Sequence, residues 1–554
     1  MFLPVYSRFS PIQMPAPSRP GRRWPTLLVL VVLALIFVAS HAYKLGADDV
    51  RGDEILAKKA LEQGPQGFKA FLERSKVAPL YLYLNRWFVQ AWGDITPVSL
   101  RMPSVFEGAL TVCLLFLFAR QLAGWRVALV AAVLLSCSDF FFVWSRDGRY
   151  YALLTAVSLA LVWAYWNALA LCRLWAFPVL LLLVYLLAQT HRIGYTVLAA
   201  LAVATPFMFI SRDWLALVRR RRKLLIVLAV GVAIAGALMA VALQESIARL
   251  WRHAVEGLSR TKATGEFDLS VVFLRNELSR FLGVPREWVA PAVGLLGVGV
   301  LYGLVRQWRF VVVGVALLVV PVAAIWYGRP THWWEPRYFV FMAPVFALFA
   351  ALACDGARAL LAWAGQRLAG PRYAGFAQGL GHAVLAMLLG LSIAPNLGRI
   401  VHDLRDVRNG YQRAAEELGA WMEPGETILS MHAQPHILPF YFDAEQHGVD
   451  LVELPPERIT PAWRVEDTTD LWYLQLGDGW CSVEGGNLLF SARFSRLPYT
   501  TYKITMVHDS DFFLLHGPNP QGIAFGETYP AVPPGTGTLT VTPAWTSTPL
   551  RKRN

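Results

Sequence analysis

Runs of about 20 apolar residues, the length needed to cross a hydrocarbon core, recur through the first two-thirds of this chain. Leu27 to Ala39, Val127 to Leu135 and Leu224 to Leu243 belong to such runs, and short arginine-bearing turns separate them. Backbone groups in lipid must be paired within the segment, so the runs are helices. Length alone, 554 residues, would suggest several soluble domains. The apolar pattern overrides that reading: 56% of the residues are hydrophobic and only 16% are charged, which departs from soluble-protein usage.

Spans are expected near 25–44, 102–122, 126–144, 150–170, 174–189, 193–211, 224–243, 287–305, 310–327, 338–361 and 381–397. That is about eleven crossings. The formal charge of +13 would suit a nucleic-acid partner, but the cations argue against one by position. Arg22, Arg23, Arg120, Arg126, Arg173, Arg219 to Arg222, Arg306 and Arg367 fall at alternate span ends, as the positive-inside bias requires. An odd count then puts the N-terminus in the cytoplasm and the C-terminus outside, in the periplasm of a bacterium with this protein in its inner membrane. The first run lacks a small-residue cleavage site before Lys44 and reads as a retained helix, not a removed signal. Four of the five cysteines lie in or beside spans, which leaves Cys481 alone in the polar part and implies neither a disulfide framework nor a cysteine metal site.

The fold class expected is therefore a polytopic α-helical membrane domain over residues 1–397, followed by a small soluble α/β domain over 398–517 and a Pro/Thr-rich tail over 518–554. External loops 45–98 and 244–286 are too long to be bare connectors and should carry helices. In the soluble part, alternation marks strands at Thr427–Met431, Leu471–Leu476, Tyr502–Val507 and Phe512–Leu515, with a helix near Tyr411–Met422.

The topology emits four groups of ionisable residues on one face: Asp53 and Glu54; Arg146, Asp147 and Arg149; His191 and Arg192; and His332, Glu335 and Arg337. Such residues at span ends are costly unless they pair or face a wet cavity, so their convergence marks a candidate site. The plainer alternative is interfacial anchoring and ion pairing.

Several stretches resemble, in order, the landmarks of bacterial GT-C glycosyltransferases. They are Gly52-Asp53-Glu54, Ala78-Pro79-Leu80-Tyr81 with Trp87 and Gly93, Leu100-Arg101-Met102-Pro103-Ser104, Ser145-Arg146-Asp147-Gly148-Arg149-Tyr150-Tyr151, and Arg337-Tyr338. The relatives implied are the dolichyl-phosphate-mannose protein mannosyltransferases and the aminoarabinose transferase of lipid A. The likeness runs over roughly residues 25–350 and departs at two places. Val77 stands where the family has His before its Pro-Leu-Tyr, and Asp147 stands where it has Glu.

The resemblance implies an inverting transfer of a sugar from a polyprenyl-phosphate donor to a lipid A, glycan or protein acceptor. Such a reaction needs a base at the acceptor hydroxyl, cations at the leaving phosphate and exclusion of water. By resemblance Asp53 is the base, with Glu54 as its neighbour or a helix cap, and Asp147 is the further carboxylate of the site. Arg337, Arg149, Arg146 and Arg192 suit the phosphate because a planar guanidinium binds it in bidentate fashion. Tyr150 and Tyr338 suit stacking on the sugar, whereas Trp333 and Trp334 read as an interfacial belt. His191, His332 and Glu335 are ligand types for a divalent cation, which stays open as a cofactor although their spacing matches no metal signature.

A transporter or lipid flippase is the rival class, since buried charges among many spans also line translocation pathways. Transporters keep charge near the midplane. Here the spans are largely free of charge and the ionisable groups gather at one face, which favours surface chemistry. A scaffold whose working part is 400–554 is the third reading.

Overall fold

The computed structural model describes residues 24–74, 79–209, 275, 278–279, 282, 284–328, 336–369, 374–405, 410–421, 424–425, 427–431, 437–454, 470–476, 481–484, 487–490, 496–498, 503–506 and 512–518. The described helices are α1 (Trp24–Ala42), α2 (Gly52–Glu62), α3 (Pro65–Arg74), α4 (Pro79–Trp92), α5 (Pro97–Ala123), α6 (Trp125–Ser136), α7 (Asp139–Ser145) and α8 (Tyr151–Tyr165, extended by a π turn at Trp166–Ala170). They continue with α9 (Ala176–Thr190), α10 (Gly194–Phe209), α11 (Val289–Gly328), α12 (Ala343–Ala369), α13 (Ala374–Arg405) and α14 (Gly410–Trp421), with short α15 (Leu438–Tyr441) and α16 (Ala444–His447).

Among the described residues six helices are long and apolar enough to cross a membrane, or seven if the bent pair α6 and α7 is one span. This is a multi-pass membrane protein, and the count among the described residues lies below the eleven spans expected. The 174–189 and 193–211 stretches form helices of 15 and 16 residues, and 224–243 lies outside the described residues. The 126–144 stretch turns by 64° between α6 and α7, where Ser138 caps α7 by accepting from Phe141 N–H.

The two spans expected at 287–305 and 310–327 form the 40-residue α11, interrupted at Gln307 by non-helical angles (φ −148°, ψ 56°). A straight helix of that length would reach about 60 Å, twice the hydrocarbon thickness of about 30 Å. The chain instead folds back on itself. A Cβ on Gly303 would lie 2.8 Å from Val311 Cγ2, whereas eight residues along a straight helix are about 12 Å apart. A Cβ at Gly299 would collide with the carbonyl oxygen of Phe349, so a small residue there lets α11 lie directly against α12.

The chain divides into two units, one of Met1–Gly46 with Ala60–Asp406 and one of Ala47–Lys59 with Val407–Asn554. In the first, α5, α8 and α12 are buried over most of their apolar length, whereas α1, α11 and α13 expose apolar side chains along theirs, as lipid-facing helices do. Helix α5 is the organising element. Thr96 and Ser99 close a reciprocal capping box at its start, and Pro97 occupies its first turn. Gly108 then leaves room for the Phe37 ring and for Ser145 Cβ, which a Cβ there would meet at 2.8 and 3.0 Å.

In the second unit a five-stranded sheet has the order β2-β1-β3-β8-β7, from β1 (Thr427–Met431), β2 (Asp450–Leu454), β3 (Asp470–Leu476), β7 (Lys503–Met506) and β8 (Phe512–Pro518). β1 pairs in parallel with β2 and β3, and β8 runs antiparallel to β3 and β7. β4 (Cys481–Glu484), β5 (Asn487–Phe490) and β6 (Arg496–Pro498) form a separate antiparallel sheet. The apolar cluster of this unit joins Val50 and Ile55 to Tyr411, Ala415, Leu418, Leu438 and Phe442. Residues 47–59, which the sequence pattern assigns to a loop of the membrane domain, are thus built into the unit that holds the C-terminal strands.

Candidate active site

The loop between α7 and α8 is the centre of the candidate site in the first unit, and α5 holds it. Ser104 Oγ donates to the carbonyl of Arg149 at 3.1 Å, and Arg149 N–H closes a tight turn on Asp147 O at 2.7 Å. The start of α7 is tied to α13, where Asp139 N–H donates to Asn396 Oδ1 at 3.0 Å.

The two arginines of this loop serve different ends. Arg146 is buried, and its guanidinium donates to the carbonyls of His41 (2.6 Å), Tyr43 (2.7 Å) and Lys44 (3.2 Å). Those carbonyls end α1 and the residues after it, where helical partners run out and a cation is favoured. Arg101 does the same one residue further, donating to Leu45 O at 2.9 Å. Arg146 is therefore engaged in capping the first span, a role the resemblance did not assign to it. Arg149 points the other way: its Cζ lies 5.2 Å from the Tyr151 ring centroid and 5.6 Å from that of Tyr150.

Arg337, from the 3₁₀ turn Pro336–Met342, reaches the same ring. Its Cζ is 5.9 Å from Tyr151 and 5.8 Å from both Trp144 and Tyr338. Two guanidiniums from segments almost two hundred residues apart in sequence thus converge on one fully buried tyrosine, each in the range of a cation–π contact. His191, at the end of α9, stacks on Tyr150 with ring centroids 4.2 Å apart and lies parallel to Tyr338 at 6.4 Å. Tyr81 of α4 meets Tyr150 edge-on at 6.4 Å.

Protonation follows from these surroundings. Burial, with Arg149 and Arg192 adding to it, holds the His191 imidazole down to about 3, so it is neutral near pH 7. Its Nδ1 accepts from Ile193 N–H at 3.3 Å, which puts the imidazole proton on Nε2. Burial raises the Tyr150 phenol above its ordinary value, with Arg149 opposing the rise, so this group stays a protonated donor. Asp147 is buried in the same loop.

The remaining expected residues fall elsewhere. Glu54 is buried and its Oε2 accepts from Arg51 N–H at 2.8 Å at the start of α2, which is the cap alternative. Asp53 sits in the first turn of α2, in the second unit, and its side chain lies outside the described residues, as do His332, Trp333, Trp334 and Glu335. Among the described residues no three His, Cys, Asp or Glu groups are placed to hold a metal ion. Sequence reasoning missed Tyr151, Trp144 and Tyr81. All three stand beside or inside the quoted motifs, but each continues an apolar pattern that reads as core.

No protein-family model matches the chain, and no curated protein sequence matches it. Solved structures do. ArnT from Cupriavidus metallidurans in the apo state aligns with a TM-score of 0.51 at 13% identity, covering 91% of this chain and 99% of that one. The structure of ArnT from the same organism bound to undecaprenyl phosphate gives 0.50 at 14% identity, with 91% and 100% covered. This chain has the GT-C glycosyltransferase fold. Within that GT-C frame, the arginine and tyrosine cluster is built from three of the stretches on which the sequence resemblance rests.

Proposed function

We propose that this protein is an inverting glycosyltransferase that moves a sugar from a polyprenyl-phosphate carrier to a lipid, glycan or protein acceptor at the external face of a bacterial inner membrane. The observation that carries this reading is the convergence of Arg149 and Arg337 on the Tyr151 ring, beside neutral His191 and Tyr338. A sugar phosphodiester bears one negative charge and leaves as a monoester bearing up to two. Fixed guanidiniums beside that phosphate therefore favour the departing state over the ground state, which is the condition for catalysis. His191 Nε2–H supplies a donor without adding charge, the Tyr150 hydroxyl donates to that of Tyr151, and the less buried Tyr338 ring offers a face to the sugar. That ArnT, of the same fold, is seen with undecaprenyl phosphate supports this class of carrier.

In the proposed reaction the acceptor hydroxyl gives its proton to the Asp53 carboxylate as its oxygen attacks the anomeric carbon. The bond from that carbon to the phosphate oxygen breaks, and the electron pair leaves with the phosphate. Arg337 and Arg149 bind the leaving group, with Arg192 as a further nearby cation. Asp147 offsets the charge of the arginine loop. A single displacement inverts the anomeric centre.

The test is incubation of the purified protein with a panel of polyprenyl-phosphate sugars, reading free lipid phosphate and the product's anomeric configuration by NMR. Retained configuration, or no release from any donor, overturns the proposal. Asp53→Asn should abolish transfer while the protein stays folded in detergent, and a fully active variant would remove Asp53 from the role of base.

A further inference from the structure

The segment that bears Asp53 is held from outside by groups far away in the sequence. Asp49 lies 362 and 363 residues from its partners: its Oδ2 accepts from Tyr411 N–H at 2.8 Å and its Oδ1 from Gln412 N–H at 3.1 Å. These are among the first N–H groups of α14, which have no helical partner of their own and favour an anion. One residue on, Val50 N–H donates to the Tyr441 hydroxyl at 2.8 Å. The side chains of Val50 and Ile55 are buried in the cluster with Leu418 and Phe442, and Lys58 Nζ sits 5.0 Å from the Phe440 ring centroid. Glu54 closes the first turn of α2 on Arg51. Backbone, carboxylate and apolar contacts therefore fasten both the approach to Asp53 and the turn after it.

We infer that the second unit is the mount of the Asp53 segment, with Asp49 and Tyr441 as positioning residues for the base. The inference rests on the transferase reading above. An alternative use of these contacts, simply stabilising α14, would not require them to fall on both sides of Asp53, at Asp49 and Val50 before it and at Ile55 and Lys58 after it. A carboxylate that must meet an acceptor hydroxyl at hydrogen-bond distance loses rate steeply with small misplacement, about 10²-fold for 1 Å. The arginines assigned to the donor phosphate belong to the other unit, so donor affinity need not change with the mount.

The experiment compares Asp49→Ala, Asp49→Asn and Tyr441→Phe with the wild-type full-length protein. Asp49→Ala should lower kcat roughly 10- to 100-fold with an unchanged KM for the lipid donor, and Asp49→Asn, which keeps an acceptor oxygen, should restore most of the rate. Tyr441→Phe keeps the ring in the apolar cluster and removes only the hydroxyl, so it stays informative should Asp49→Ala fail to fold. Hydrogen exchange at residues 50–60 should accelerate in Asp49→Ala and Tyr441→Phe, a readout that needs no turnover. Wild-type exchange there in folded variants overturns the mount, as does a wild-type kcat in them while Asp53→Asn is inactive. A fully active Asp53→Asn with accelerated exchange in the mount variants would instead refute the base assignment and leave the mount standing.

Discussion

Arg146 and Arg149 stand three residues apart in one loop, and replacing each by lysine should separate a structural arginine from a binding one. The Arg146 guanidinium makes two short bonds, at 2.6 and 2.7 Å, and a longer one at 3.2 Å, to carbonyls in the last turn of α1 and just after it. Hydrogen bonds to a charged group are worth about 1.5–3 kcal/mol each. The two short ones together contribute about 3–6 kcal/mol, and Arg146→Ala also strands buried acceptors. Against a typical total of about 5–15 kcal/mol, that substitution should yield a protein that unfolds early or does not accumulate. A lysine ammonium is a point donor that cannot fork across His41, Tyr43 and Lys44 together, so Arg146→Lys should lose about half of the contribution. The assay is thermal unfolding in detergent, with the order wild type, Arg146→Lys, Arg146→Ala from most to least stable. The donor KM of Arg146→Lys should equal that of wild type. A variant as stable as wild type but with a tenfold higher donor KM would show that Arg146 binds substrate and that the capping assignment is wrong.

The other predictions concern the cluster around Tyr151. Arg337→Ala and Arg149→Ala should each lower kcat/KM for the lipid donor by roughly 10²–10³-fold with the protein still folded, and lysine should recover only part of this because it cannot bind bidentately; steady-state kinetics with the active donor checks both. An unfolded chain protonates His191 near 6.5 whereas the folded one does not until about 3, so the unfolded state binds more protons across that window. Stability from this group is therefore complete above about pH 6.5 and is lost as pH falls toward 3, and His191→Gln should show a flatter decline of thermal stability over the same range.

How far the sequence disclosed the fold depended on how local each determinant was. Apolar length alone located α1, α5, α8, α12 and α13. It also set a turn at Arg306, Gln307, Trp308 and Arg309, between the spans expected at 287–305 and 310–327, where α11 doubles back at Gln307. That reading agrees with the geometry in substance, although the backbone is nearly continuous in helical bonding. The bend between α6 and α7 was legible in principle, since Ser138 followed by Asp139 is a helix-start signal, but the apolar run around it was too uniform to suggest a break. β1 occupies the residues that alternation marks. β2 does not announce itself, because Asp450 and Glu453 interrupt its apolar residues and its pairing with β1 is parallel and non-local.

The candidate site divides along the same line between local and non-local causes. Type and spacing single out Arg146, Asp147 and Arg149 together, but whether a guanidinium caps a helix or faces a substrate is decided by what lies across from it. For Arg146 that is the end of α1, about a hundred residues earlier. For Arg149 it is the ring of Tyr151, which Arg337 reaches from the far side of the sequence. The turn closed by Arg149 N–H on Asp147 O, with Ser104 holding the Arg149 carbonyl, is what sends the two side chains apart. A motif of alternating charges thus encodes both the attachment of the first span and the cation of the proposed site, and only the second depends on the turn closed by Arg149 N–H. Lengthening this loop by one residue between Asp147 and Arg149 should consequently leave the Arg146 contacts in place while removing Arg149 from Tyr151, so that donor binding falls and the melting temperature hardly moves; equal losses of both would mean that the loop acts as a single rigid piece and that the two arginines cannot be assigned separate roles.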